Sequence, residues 1–244
     1  MFSDEIKLID MLGKNVTIEN VNISKVKNVM IGRFRFNNKK IITYIIGKNL
    51  SRNITKFDGK IIALIEMKED NEERIVVSDT DIHASYVEIT GILHNFENLR
   101  NSKFRCLYEK SAGAVVYKII NGEPYYLLVY SKRNFAGFPK GKVEFGEIDE
   151  STAVREIYEE VGLRVKLKPN FKSSIEYIVH GTPIKKKVIF FLAEIDDNQE
   201  VNIDINEINK YEFVTYEQAK FVLNDSLINV LNEAKNYIEN TFGK

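Results

Sequence analysis

The sequence predicts a two-domain chain of mixed class: a small β-barrel-like domain over residues 1–107, and a layered α/β domain over residues 108–244. Three observations predict it. A length of 244 residues, at about 150 residues per domain, leaves room for one large domain or two small ones. Short runs rich in Ile, Val and aromatics fill the first part, whereas helical and strand patterns alternate in the second. Between them lies Asn95-Phe-Glu-Asn-Leu-Arg-Asn-Ser-Lys103, polar and rich in asparagine, and the boundary is placed just after it, near Leu107.

In the first part, Met30 to Phe36, Lys40 to Ile46, Lys60 to Met67 and Arg74 to Val77 read as strands separated by Gly, Asn, Asp or charge clusters. In the second part, Gly113 to Tyr117 and Tyr125 to Tyr130 flank Asn121-Gly122, the dipeptide best suited to a two-residue hairpin turn. A helix is predicted from Glu150 to Val161, a strand from Lys185 to Ala193, and helices over Tyr216 to Leu223 and Leu227 to Ile238.

Composition excludes several function classes. The lone Cys106 forms no internal disulfide, and Met1 to Asp10 shows no secretory pattern, so a reducing cytoplasm is expected. Apolar stretches such as Val188 to Ala193 fall far short of the ~20 residues of a membrane helix, and no membrane role is expected. With 35 basic and 35 acidic residues, the chain is not expected to be held mainly by nucleic-acid phosphates. His83, His94 and His180 show no ligand spacing, and no zinc site is expected.

The segment that carries chemistry runs from Gly141 to Leu163. Its helical part sets Ala153, Ile157 and Val161 on one face, while Glu156, Glu159 and Glu160 crowd another at i, i+3 and i+4. Like charges at that spacing repel by a few tenths of a kcal/mol each, and only Arg155, four residues before Glu159, offers local compensation. A missing positive charge is inferred. Mg²⁺ would supply it, since it prefers oxygen ligands and bridges protein carboxylates to substrate phosphates. Upstream, Phe138-Pro-Lys140-Gly141-Lys142 brings two cations beside a glycine that admits close backbone approach.

Gly141, Glu147, Arg155-Glu156, Ile157, Glu159-Glu160 and Gly162-Leu163 match the Nudix box at every fixed position, and the chain is identified as resembling the Nudix hydrolases. Seven fixed positions at about 7% per residue type coincide by chance at about one in 10⁸. The resemblance implies an α/β/α sandwich that hydrolyses a nucleoside diphosphate linked to another moiety, with Mg²⁺ or Mn²⁺. By that match Glu156, Glu159 and Glu160 would bind metal together with the Gly141 carbonyl, Glu147 would assist at the loop, and Arg155 would orient the glutamates. Segments 111–116, 137–147, 185–194 and 216–219 are further similar to the asymmetrical diadenosine tetraphosphate hydrolases, which implies cleavage to ATP and AMP. Lys140, Lys142 and Lys186 would then meet phosphates, Tyr211 would stack on adenine, and Glu207 looks like an additional acidic residue of these enzymes. Where that family often has tyrosine and tryptophan, this chain has Phe190 and Phe213. Alternatives within the Nudix class are ADP-ribose, a nucleoside triphosphate or an RNA 5′ end. A nucleotide-binding regulator that does not cleave is the rival from another class.

Residues 8–18, 44–48, 57–65 and 74–77 resemble soluble inorganic pyrophosphatases, whose core is an OB-like barrel, but the clustered aspartates those enzymes use for metal are absent around Thr43-Tyr44. Glu69, Asp70, Glu72 and Glu73 alone make no metal cage. The first domain therefore reads as a binding module, or a dimerising one that would make the protein a homodimer. Arg33-Phe-Arg-Phe36 alternates cation and aromatic, a pattern shared by nucleic-acid-binding strands and ordinary half-buried ones.

Overall fold

The computed structural model describes residues 7–24, 28–47, 50, 54–68, 71–79, 84–94, 99, 102–196 and 198–242. Glu69, Asp70, His83 and most of the polar segment 95–103 lie outside the described residues. The chain divides into two compact units, Met1–Glu109 with Ile178–Lys185, and Lys110–Tyr177 with Lys186–Lys244. The division falls two residues after Leu107 and is not a single cut, because the hairpin tip that returns from Val179 N to Ile184 O (2.8 Å) goes with the first unit, where Lys185 N donates to Leu107 O (2.8 Å).

The first unit is a closed five-stranded barrel. Its strands are β1 (Asn15–Ile23), β2 (Val29–Phe36), β3 (Lys39–Ile46), β4 (Lys56–Glu66) and β5 (Glu73–Ser78), in the order β1-β2-β3-β5-β4 with β4 returning to β1. Only the β3–β5 pairing within this barrel is parallel. Closure satisfies the edge groups that an open sheet would leave exposed. Alternation of side chains fills the inside with Ile18, Ile45, Ile61, Ile65 and Ile75, all fully buried. A short 3₁₀ turn (Leu8–Met11) precedes the barrel; helix α1 (Tyr86–Leu93) and strand β6 (Lys103–Cys106) follow it, β6 pairing with β4. Strand β1 and helix α1 have no counterpart among the elements read from the sequence. Cys106 is buried within this packing and forms no disulfide among the described residues.

The second unit is a layered α/β structure. Strands β7 (Tyr108–Ile120) and β8 (Glu123–Ser131) form the predicted hairpin, with Asn121 and Gly122 at φ 53° and 84°. The sheet continues through β11 (Lys166–Leu167), β13 (Lys185–Glu194) and β14 (Ile208–Val214) in the order β11-β13-β7-β8-β14. Short strands β9 (Ala136–Gly137), β10 (Lys140–Lys142) and β12 (Ser173–Ile178) pair onto β8, β7 and β13 respectively.

Three helices complete the unit: α2 (Asp149–Val161), α3 (Tyr216–Val222) and α4 (Asp225–Phe242). Thr215 starts α3 with a capping box, accepting from Gln218 N at 3.3 Å while Gln218 Oε1 accepts from Thr215 N at 2.9 Å. The α4 face Leu227, Val230, Leu231, Ala234 and Ile238 joins Tyr117, Tyr126, Leu128 and Phe190 in one core, each Leu, Val or Ile side chain contributing about 1.5–3 kcal/mol by its burial. Helix α2 buries Ala153, Ile157 and Val161, the face predicted from its periodicity. With that face buried, Arg155 and Glu159 turn outward while Glu156 and Glu160 lie at the edge of the buried zone.

Candidate active site

The site is assembled where α2 meets β10. Lys140, Gly141 and Lys142 pair with Gly113, Ala112 and Ser111 of β7. A Cβ on Gly113 would stand 2.1 Å from the Pro139 carbonyl oxygen and 2.5 Å from the Lys140 Cβ, so this glycine is what lets β10 lie down on β7. Gly141 then faces α2 so closely that a Cβ there would stand 1.9 Å from the Glu156 carboxyl carbon. One residue earlier, Lys140 N donates to Glu160 Oε2 at 3.0 Å. Two carboxylates from adjacent helical turns are thus seated on the backbone of a two-residue stretch.

Arg155 ties down the remaining acids. Its Nε donates to Glu147 Oε1 (2.7 Å) and its Nη2 to Glu147 Oε2 (2.9 Å), a bidentate pair. Its Nη1 donates to Glu156 Oε1 and Glu159 Oε2, both at 2.8 Å, and Nη2 also reaches the Lys142 carbonyl at 2.9 Å. Glu147 accepts further from Thr152 Oγ1 (2.7 Å) and Glu144 N (3.1 Å). Helical spacing predicts that Arg155 compensates Glu159; the structure adds Glu147 and Glu156, because the loop folds Glu147 back and the helix sets Glu156 beside the same guanidinium. Of Glu156, Glu159 and Glu160, only Glu160 makes no hydrogen bond to Arg155; it accepts from Lys140 N instead.

Electrostatics separate the carboxylates. The Arg155 guanidinium holds Glu147 down at about 2, against its partial burial. Burial pushes Glu156 above the ordinary carboxylate range, with Arg155 opposing. Burial pushes Glu160 up to about 7, with Lys140 opposing and with Glu156 and Glu207 adding to the rise. A desolvated carboxylate beside other acids is what a bound cation relieves.

A cavity of about 770 Å³ opens beside these groups. Lys140, Glu160 and Glu207 line it together with Asp225, while Phe138, Phe190 and Leu227 form an apolar part of the wall. Phe190 is fully buried and meets Phe138 edge-on, ring centres 5.7 Å apart, so it acts here as wall and core at once. Exposed Phe135 and Tyr177 also line the cavity; no spacing in the sequence marks them, since one follows a turn and the other is the penultimate residue of β12.

Other expected residues stand apart. Lys142 is exposed and contributes its carbonyl to Arg155. Lys186 lies half-buried on β13 and is not part of the cavity lining. Tyr211 lies on β14, edge-on to Phe213 at 6.4 Å, outside the lining; the aromatic surface of the cavity comes from Phe135, Phe138, Tyr177 and Phe190 instead.

The donor chemistry bears on a metal ion. All candidate ligands are oxygens: the Glu156, Glu159 and Glu160 carboxylates and the Gly141 carbonyl. Among the described residues no three acidic side chains stand together at metal-ligating spacing. Mg²⁺ usually keeps several waters and takes one or two protein carboxylates plus substrate phosphates, so Glu156 and Glu160 around Gly141 fit it without a full protein cage. Lys140 is the one cation in the lining against Glu160, Glu207 and Asp225, so a polyphosphate needs further positive charge to enter.

Comparison with known proteins identifies the family. A family model described as the NUDIX domain matches residues 109–233. The asymmetrical bis(5′-nucleosyl)-tetraphosphatase of Mus musculus is 35% identical over 85 residues, 33% of this chain and 56% of that one. Its counterpart from Sus scrofa is 40% identical over 62 residues, 24% and 41% respectively. The chain thus spans about half the length of these curated relatives. A C. elegans Ap4A hydrolase, solved as a binary complex, superimposes with a TM-score of 0.51 at 22% identity, over 54% of this chain and 98% of that one. That likeness shows the fold.

Proposed function

From the premise that the chain belongs to the NUDIX family, we propose that its second unit is a domain of about residues 108–244 that hydrolyses a nucleoside polyphosphate, namely diadenosine tetraphosphate, to ATP and AMP. The observation that carries the proposal is the seating of Glu156 on Gly141 and of Glu160 on Lys140, the latter two residues lining a cavity large enough for a nucleotide. The choice of substrate is supported by the partial similarity to the mammalian asymmetrical tetraphosphatases.

In this reading Glu156, Glu160 and the Gly141 carbonyl would hold a divalent cation, Mg²⁺ or Mn²⁺, with Glu159 beside them on the helix and tied to Arg155. When bound, such an ion neutralises phosphate charge and makes a coordinated water more acidic. The chain's own residues do the rest. Arg155 fixes Glu156 and Glu159 in one orientation and Glu147 locks Arg155 from the other side. Such immobilised groups require no reorganisation when charge develops. Lys140 offers its ammonium to phosphate oxygens at the cavity wall. Phe135 and Tyr177 present apolar rings to the base of the ligand, an attraction worth about 1–3 kcal/mol per stacked base. The reaction consumes one water and breaks one phosphoric anhydride, the entering oxygen remaining on one product.

The test is a substrate panel of diadenosine tetraphosphate, ADP-ribose, nucleoside triphosphates and capped RNA 5′ ends, with products separated by chromatography. Diadenosine tetraphosphate yielding equimolar ATP and AMP is the expected result. Faster cleavage of another member of the panel overturns the substrate; binding without cleavage of any member makes the protein a nucleotide-binding regulator.

A further inference from the structure

We propose that the barrel of the first unit carries a second nucleotide-binding site, one that holds phosphate by protein cations alone. The site is a cavity of about 640 Å³ whose lining belongs wholly to that unit. Four cations enter it: Lys7 before the 3₁₀ turn, Lys39 on β3, and Lys103 and Arg105 on β6. The alternation of β6 sends Lys103 and Arg105 to the same face, and both are exposed. Lys39, Lys103 and Arg105 make no ion pair among the described residues, although Glu66 lies directly across from Lys103 in the sheet. Unpaired cations crowding one concavity repel one another, and an anion is the ligand that relieves them.

The rest of the lining narrows the anion. Ile41, Leu64 and Ile65 form an apolar floor, and beside it stands Phe36, whose ring stacks on Phe34 at 6.1 Å and an interplanar angle of 24°. That is a surface for a flat, apolar ring. Glu66 and Glu73, neighbours across β4 and β5, supply acceptors for hydroxyl or amino donors. A ligand that combines a flat ring, several donors and more than one negative charge is a nucleoside phosphate. The chemistry is shared by a free nucleotide and by a nucleotide at the end of a single strand. Arg33 and Arg35 of the same β2 strand belong to the Arg33-Phe-Arg-Phe36 pattern whose role the hydrolytic site leaves unexplained.

This inference does not depend on the hydrolytic reading, and its test keeps the two apart. The full-length chain carrying Lys140→Glu, which removes the one cation of the other cavity, is titrated with the imido analogue of ATP and with hexa-adenylate, in EDTA. Retained binding of either probe is expected, at one site per chain. Adding Lys103→Ala and Arg105→Ala should weaken it tenfold or more, and adding Phe36→Leu should weaken it while leaving the salt dependence unchanged. Melting temperatures check that each variant is folded; the Lys103 and Arg105 side chains are exposed and unpaired, so their loss leaves the barrel core intact. The tighter-bound probe identifies the free nucleotide or the strand as the source. Absence of binding by both probes, or binding indifferent to Lys103 and Arg105, overturns the site. Hydrolysis by a chain with only the barrel substitutions reports separately on the second unit.

Discussion

Replacing Gly141 by alanine tests the geometry of the candidate active site with one methyl group. Ordinary contact begins at about 3.4 Å, and the new Cβ would stand 1.9 Å from the Glu156 carboxyl carbon, so the carboxylate must retreat by about 1.5 Å. The backbone at Gly141 is not in the left-handed region, so no φ strain confounds the change. A misplacement of about 1 Å at a catalytic constellation costs on the order of 10²-fold. That corresponds to about 2.7 kcal/mol of lost transition-state stabilisation. The expected result is therefore a fall in kcat/KM of about a hundredfold or more, measured by chromatography of ATP and AMP released from diadenosine tetraphosphate. Gly137→Ala is the matched control: it lines the same cavity, but its new Cβ would meet nothing closer than the Leu227 Cδ1 at 3.8 Å. It should retain activity within a few-fold. If folded Gly141→Ala turns over as fast as the control, Glu156 does not lie against Gly141 in the working enzyme and the assignment of both residues is refuted.

Other outcomes follow from the same contacts. Glu160→Gln keeps the shape of the side chain and removes its charge, so activity should drop by orders of magnitude with the fold retained; equal activity would sink its role at the metal. Arg155→Gln leaves Glu147, Glu156 and Glu159 without their shared partner and should cost about 2–4 kcal/mol of stability in urea titration, less than a fully buried pair because the arginine side chain is 24% exposed. Glu147 is held at about 2 in the fold, below its ordinary 4.5, so its contribution is full above pH 4.5 and is lost as pH falls toward 2. In Glu147→Gln that acid-side slope, about 2–3 kcal/mol in wild type, should flatten; an unchanged slope would show that Arg155 does not hold this carboxylate. EDTA should abolish hydrolysis and excess Mg²⁺ or Mn²⁺ restore it, with circular dichroism unchanged; metal-independent turnover would contradict the divalent cation.

What the sequence revealed depended on how local the causes were. The α2 helix, the Asn121-Gly122 hairpin and the apolar face of α4 are set by periodicity and turn chemistry, and each lies where its residues predict. Glu156 and Glu160 were legible because the box fixes their spacing. In the sequence Gly113 reads as the start of a strand and part of a resembling segment, whereas its close approach is to Lys140 of β10, 27 residues further on. Strand β1 is illegible in the sequence for another reason: Asn15–Ile23 mixes Asn, Thr and Glu with its apolar residues, and pairing with β4 on closure of the barrel, rather than propensity, makes it a strand. Phe135 and Tyr177 carry no motif, and their common cavity exists only once β12 and the β8–β9 turn are folded. Arg155 was seen as a neighbour of Glu159, but its reach to Glu147, eight residues back, follows from a loop conformation that helical spacing does not encode.

The two cavities handle negative charge by opposite means, and this makes them separable by experiment. The cavity of the second unit is lined by three carboxylates and one lysine, so any polyphosphate that enters must bring or meet a cation. The cavity of the barrel is lined by four cations and two carboxylates and needs none. A divalent chelator therefore acts on one and spares the other. Salt acts on both, but most directly on the barrel, where exposed lysines and an arginine face solvent screened over about 8 Å at physiological ionic strength. Nucleotide binding that persists in EDTA yet fades with rising salt belongs to the barrel, and turnover that vanishes in EDTA at constant salt belongs to the helix that carries Glu156 and Glu160.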